Sequence, residues 1–178
     1  MDEVCKEYGG GLYLLATEIN SEKVFFHELM ALKNVLSENS EYVKLLSSPA
    51  LSASEKKELV REAFSGKLHE YVVNFMQLLC ERGYFASMLG CIDAYKKMYF
   101  EKCNISEGTV KSAYALSDSE KERLKTAIEA KLGKGKTLIL EFVTDESLIG
   151  GFLVEIDGNV VDSTLKTKLS ELKNVLSK

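Results

Sequence analysis

Tryptophan is missing from the chain, proline occurs once and histidine twice in 178 residues. Each shortage excludes something. His27 and His69 are far apart, and neither has a cysteine, histidine or carboxylate at a recognised ligand spacing, so no metal is expected and each reads as a helix-surface residue. The single proline, Pro49, marks one break and leaves the backbone on both sides free to be helical. Cys5, Cys80, Cys91 and Cys103 form no CxxC pair, which reads as reduced thiols in a cytosolic protein. The opening MDEVCKEYGG has no basic region followed by an apolar stretch, so no export signal is expected. No window reaches the roughly 18 uninterrupted apolar residues of a membrane-spanning helix. Positive charge is not in excess. The net charge of −4 argues against nucleic acid as a partner, because phosphate binding needs clustered lysine and arginine.

What the chain does have is apolar periodicity of two kinds. As far as residue 103 the spacing is helical. Val4, Tyr8, Leu12, Leu15 and Ile19 give a first stripe; Ser21 reads as the cap of a second helix carrying Phe25, Leu29, Leu32 and Leu36. A short helix is expected over 40–46. Ser52 with Glu55 is a capping box before Leu59, Val60, Ala63 and Phe64, with Gly66 as terminator. Leu68, Tyr71, Val72, Phe75, Met76 and Leu79 make the next stripe, ended by Gly83. Phe85, Met88, Leu89, Ile92, Tyr95 and Tyr99 make the last. Six helices imply a bundle over 1–105.

From about residue 108 the period falls to two, with Val110, Ser112, Tyr114 and Leu116 on one side of a strand. Ser117 with Glu120 opens another helix through Leu124, Ala127, Ile128 and Leu132, which stops at Gly133. KTLILEFV, GFLVEI and VVD read as strands, and Leu165, Leu169, Leu172 and Leu176 as the stripe of a final helix capped by Asp162 or Ser163. The fold class is therefore mainly α, a six-helix bundle followed by a small mixed α/β domain over 106–178. A unit that small buries little apolar surface and is expected to lean on something else.

Candidate chemistry is thin. Gly135, Lys136 and Thr137 match the end of a phosphate-cradling GxxxxGK[ST] loop, but Ala130 stands where the first glycine belongs. The chain there also runs from helix into strand, where a phosphate site needs the amides of a helix N-terminus. A helix end with solvated lysines is the simpler reading. Asp145, Glu146, Asp157 and Asp162 fit neither a calcium loop nor a paired-carboxylate hydrolase. Asp157 with Gly158 instead suits a two-residue hairpin turn that needs positive φ. Gly150 and Gly151, at the start of a strand, suit a bulge or a close backbone approach. The cysteines on helical stripes read as small core residues.

The stretch LILEFVTDESLIGGFLVEIDGNVVDSTLKTKLSEL resembles the C-terminal signature of the delta subunit of bacterial F-type ATP synthases, the counterpart of the mitochondrial oligomycin-sensitivity-conferring protein. The matching positions are Leu138, Leu140, Asp145, Leu148, Ile149, Gly150, Gly151, Phe152, Val154, Asp162 and Ser163. The resemblance spans the chain in layout, and EYGGGLYLLA sits where that family has a tyrosine-containing first helix followed by small residues. Gly9, Gly10 and Gly11 depart from it, since helix formers are expected there.

The resemblance implies a non-catalytic stator component without a cofactor. It would be a monomer when isolated, on the cytoplasmic side of the cell inner membrane and attached to it only through the complex. It implies that the bundle takes the N-terminal segment of an alpha subunit as an added helix between its first and fifth helices, and that the C-terminal domain takes the distal end of the b subunits. Such docking needs an apolar trough, for which the stripes offer Tyr8, Leu12, Leu15, Phe75, Met76 and Leu79. The competing reading is a small nucleotide-binding regulator or enzyme using Lys134 to Thr137.

Overall fold

The computed structural model describes residues 3–132, 136–148 and 150–162. The chain divides into two compact units, Met1–Tyr99 and Phe100–Lys178.

The first unit is helical: α1 (Glu3–Glu18), α2 (Glu22–Glu38), α3 (Ser40–Ser47), α4 (Ala53–Phe64), α5 (Glu70–Arg82), a 3-10 turn at Phe85–Ser87, and α6 (Met88–Lys102). The apolar stripe of α2 falls inward as its spacing predicts, with Phe25, Leu29, Leu32 and Leu36 buried. They share one core with Val72, Met76 and Leu79 of α5 and with Met88, Ile92 and Tyr95 around α6. Buried Tyr95 donates its hydroxyl to the Glu22 carbonyl at 2.9 Å, and removal from water pushes its pKa well above the ordinary phenol value.

Several helix ends follow local chemistry. At Ser52 the capping box forms: the Glu55 amide donates to Ser52 Oγ at 3.3 Å and the Ser52 amide to Glu55 Oε2 at 2.8 Å. Gly83 ends α5 in the left-handed region at φ 75°, which lets its amide close the last turn on Cys80 and Leu79. Ser21 stands at the start of α2 but makes no side-chain cap; its hydroxyl donates to the Ile19 carbonyl. His69 is not a surface residue of a helix body. It caps α5, its Nδ1 accepting the Tyr71 amide at 3.3 Å.

α1 runs unbroken through Gly9, Gly10 and Gly11. Three helix-interior glycines cost roughly 0.5–1 kcal/mol each against alanine. Two have a packing reason. A Cβ on Gly9 would stand 2.8 Å from the Ala94 Cβ and collide with the Cys91 carbonyl, and one on Gly10 would stand 3.3 Å from Met98 Sδ. Helix α1 thus lies backbone-close to α6, and this contact holds the glycine-rich turn helical.

In the second unit β1 (Ile105–Ser112) pairs in parallel with β2 (Thr137–Thr144), the two joined through α7 (Asp118–Leu132). On its other side β1 pairs antiparallel with β3 (Phe152–Ile156), which pairs antiparallel with β4 (Asn159–Asp162), giving the order β2-β1-β3-β4. Ser106, Gly108, Val110 and Ser112 face inward in alternation. The parity expected for Val110 and Ser112 is right and the extent is not: the strand begins at Ile105 and stops at Ser112, leaving the exposed Tyr114 and the half-buried Leu116 outside it. The stop is local, since Ser112 Oγ donates to the Tyr114 carbonyl at 2.6 Å. The expected final helix from Ser163 lies outside the described residues.

Candidate functional site

Helices α1 and α5 leave an open trough of about 500 Å3 between them, lined by Tyr8, Leu12, Leu15, Tyr71, Phe75 and Leu78, with Gly11 along the α1 side. Glu7 and Asn74 are the polar lining residues. On α5 the lining positions 71, 74, 75 and 78 recur at i, i+3, i+4 and i+7, which is one face of a helix. The positions 72, 76 and 79 recur likewise about 100° further round and fall in the core.

That rotation corrects part of the expected site. Tyr8, Leu12, Leu15 and Phe75 do line the trough. Met76 and Leu79 have 0% exposure and belong to the core instead. Tyr71, at 42%, and Leu78, at 38%, take their place. The reason lies in the apolar arc of α5, which is wider than one stripe. A sequence stripe merges the two faces; the signal that could have separated them is the i, i+3, i+7 row through Tyr71, Asn74 and Leu78.

Helix α1 shows the same division. Its core face is Cys5, Gly9, Leu12, Tyr13 and Ala16, while Tyr8 and Leu15 from the expected stripe are only half-buried. Tyr8 packs edge-on against Tyr84, with ring centroids 5.7 Å apart.

The second cluster expected to matter surrounds the turn after β2. Asp145 accepts from the Ser147 amide at 3.0 Å and the Ser147 hydroxyl at 2.6 Å, and donates its own amide to the Ser112 carbonyl at 2.8 Å. The Ser147 hydroxyl bond, then the amide bond, hold its carboxyl below the usual range. The Leu148 amide closes on the Asp145 carbonyl at 3.1 Å. Gly151 has φ 82°, a conformation glycine adopts freely, just before Phe152 joins Ser112 in the ladder. Ile149 lies outside the described residues, and Asp162 ends β4 opposite Leu153.

At the hairpin, Asp157 and Gly158 have φ 48° and 80°, as the turn requires. Asp157 does more than turn the chain: its Oδ2 accepts from Ser106 Oγ at 2.9 Å and its Oδ1 from the Glu107 amide at 3.3 Å. Composition gave no signal for that contact across 50 residues of sequence. These carboxylates therefore frame a sheet.

The phosphate-loop alternative gains no geometry. Residues 133–135 are outside the described residues, Lys136 is exposed, and the Thr137 amide is donated to the Asn104 carbonyl at 2.9 Å as β2 begins. There the chain passes into β2, whereas a phosphate site needs the amides of a helix N-terminus. Among the described residues no group of three or more His, Cys, Asp or Glu could hold a metal ion. None of the described helices is long and apolar enough to cross a membrane.

The family model for the ATP synthase delta (OSCP) subunit matches residues 4–176. The chain belongs to that family. An ATP synthase subunit delta of Shouchella clausii is 34% identical over 173 residues, covering 97% of this chain and 95% of that one. One of Clostridium beijerinckii is 30% identical over 173 residues, covering 97% and 96%. By fold, the chain is similar to one in the mitochondrial ATP synthase hexamer of Toxoplasma gondii, with a TM-score of 0.76, 20% identity and 99% of each chain covered. As a delta (OSCP) family member the chain is a structural rather than a catalytic subunit of the ATP synthase.

Proposed function

We propose that this chain is the tie of the stator, whose helical bundle holds the catalytic head and whose α/β domain holds the peripheral stalk on the cytoplasmic side of the membrane. Rotation of a central stalk exerts torque on the head, and without a tie the head turns idly. The observation that carries the reading is the trough between α1 and α5, apolar on both walls and open to solvent, with Tyr71 and Leu78 exposed in a protein whose other large apolar side chains on α5 are buried. A groove of this shape suits an amphipathic helix offering residues at i, i+3, i+4 and i+7. The occupant proposed is the N-terminal segment of the alpha subunit, and the partner proposed for the second unit is the distal end of the b subunits.

Calorimetric titration of the full chain with a synthetic alpha-subunit N-terminal peptide tests this. Submicromolar binding, about −8 kcal/mol or better, is expected. A folded protein that gives no heat with the peptide sinks the reading. Capture of alpha and b subunits together from native membranes is the expected companion result.

A further inference from the structure

His69 opens α5 with its imidazole in two roles at once. Its Nδ1 accepts the Tyr71 amide at 3.3 Å, and its ring lies nearly parallel to the Tyr71 ring, with centroids 5.6 Å apart and 16° between the planes. Phe25 of α2 packs on the same imidazole at 4.9 Å. The cap exists only while Nδ1 keeps a free lone pair, so only the neutral imidazole makes it. A proton turns that atom into a donor facing a donor, and it adds positive charge at the positive end of the helix dipole. Both changes push an imidazolium off the cap.

A carboxylate stands beside it. Glu28 of α2 accepts the His69 backbone amide on Oε2 at 2.8 Å, which sets an acceptor of opposite charge next to the same residue. The other charged neighbours are Glu70, exposed in the first turn of α5, and Lys67, whose ammonium donates to the Ala63 carbonyl at 2.9 Å. Tyr71 itself is the remaining titratable group in contact.

We propose that His69 is a two-position switch at the head of α5: neutral, it caps the helix and holds the Tyr71 ring against its own; protonated, it leaves the Tyr71 amide and turns to the Glu28 carboxylate. Tyr71 lines the trough, so one wall of the trough changes with acidity. The proposal is independent of the stator reading, since it needs only the free chain.

The test is NMR of the isotope-labelled full chain at about pH 7.5 and about pH 5.5, either side of the range in which imidazole takes up its proton. Between the two, the protection of the Tyr71 amide from hydrogen exchange, corrected for the intrinsic effect of pH, is expected to drop by about fivefold, the usual contribution of one helix cap. The amides of Val72 and Val73, which donate to the His69 carbonyl at 2.9 and 3.1 Å, are expected to keep theirs. The His69 ring is expected to exchange its Overhauser contacts with Tyr71 for contacts with Glu28. In His69→Asn, which caps without titrating, Tyr71 protection should be the same at both pH values. A wild-type ring that has become imidazolium while the Tyr71 amide keeps its protection overturns the switch. So does an equal drop in His69→Asn, or a loss shared by Val72 and Val73, which would show the helix fraying as a whole. A protonated ring still stacked on Tyr71 overturns the second position.

Discussion

Gly9 of α1 lies against the backbone carbonyl of Cys91 on α6, so near that no side chain fits between them. The contact is repeated from the other side, where a Cβ on Gly90 would stand 2.5 Å from Cys5 Sγ. Two helices are thus pressed together through small residues, and a run that looks helix-breaking in isolation is held in a helix by its neighbour. Gly9→Ala is expected to destabilise the chain by about 1–3 kcal/mol through overpacking. Gly11→Ala, two residues along, is expected to stabilise it by about 0.5–1 kcal/mol. Urea denaturation of the two variants should give shifts of opposite sign; shifts of the same sign would contradict the packing described.

Residues on the two faces of α5 should part company in the same way. Met76→Ala removes a side chain with no exposure and is expected to cost about 2–5 kcal/mol of stability. Leu78→Ala and Tyr71→Ala, half-exposed on the trough, should cost under about 1 kcal/mol of stability yet weaken peptide binding by about tenfold. Melting curves and peptide titrations on the same three proteins decide it. A Leu78→Ala that loses stability as Met76→Ala does would place the residue in the core.

Much of this was legible beforehand. The stripe of α2, the box at Ser52 and the turn at Asp157 are set by residues within four positions of each other, so local chemistry suffices. Met76 and Leu79 were misassigned to the trough because an apolar arc read along one helix does not say which part of it a neighbour covers. The three glycines of α1 show the same limit: helix propensity is a property of the segment, and the close α6 backbone is not.

Asp157 tests the hairpin. Asp157→Ala loses the bonds from Ser106 Oγ and the Glu107 amide and puts a β-carbon residue with poor turn chemistry at φ 48°. The expected cost is about 1–3 kcal/mol, with Asp157→Asn milder because asparagine tolerates that conformation. Chemical denaturation followed by circular dichroism measures it, and equal costs for the two variants would argue that the side-chain bonds and turn preference do not matter.

Acid should find the capping boxes. At Glu55 the Ser52 hydroxyl bond, then the Ser52 amide bond, lower the pKa from 4.5, and Glu120 is lowered in the same way by Ser117. A carboxyl whose folded pKa is depressed contributes stability that is present above its unfolded pKa and lost as pH falls through the folded value. Stability is therefore expected to drop below about pH 4.5, with a weaker dependence in the Ser52→Ala and Ser117→Ala double variant, which should also lose about 1 kcal/mol per cap at neutral pH. Melting temperatures across the carboxylate titration range, roughly pH 3–7, are the measurement. An identical acid slope in the double variant would discount the boxes.

Thiol labelling checks the core. Cys103 is exposed, whereas Cys5, Cys80 and Cys91 are buried, and burial pushes the Cys80 thiol up to about 11. A neutral aromatic disulfide reagent at mildly alkaline pH is expected to label Cys103 alone in the native protein and all four after denaturation. Rapid native labelling at Cys80 would mean that α5 is not packed as described.

The sequence by itself determined the order of the described helices and strands, which residues turn the chain, and, through its C-terminal signature, which family the chain joins. All of these depend on neighbours along the chain or on a linear pattern. Tertiary structure decided the rest: that α1 stays helical across three glycines, that Met76 is core while Leu78 is trough, and that Asp157 reaches back to β1. The physical reason is that burial and close approach belong to pairs of surfaces, and a single apolar helix cannot state which of its sides will be covered.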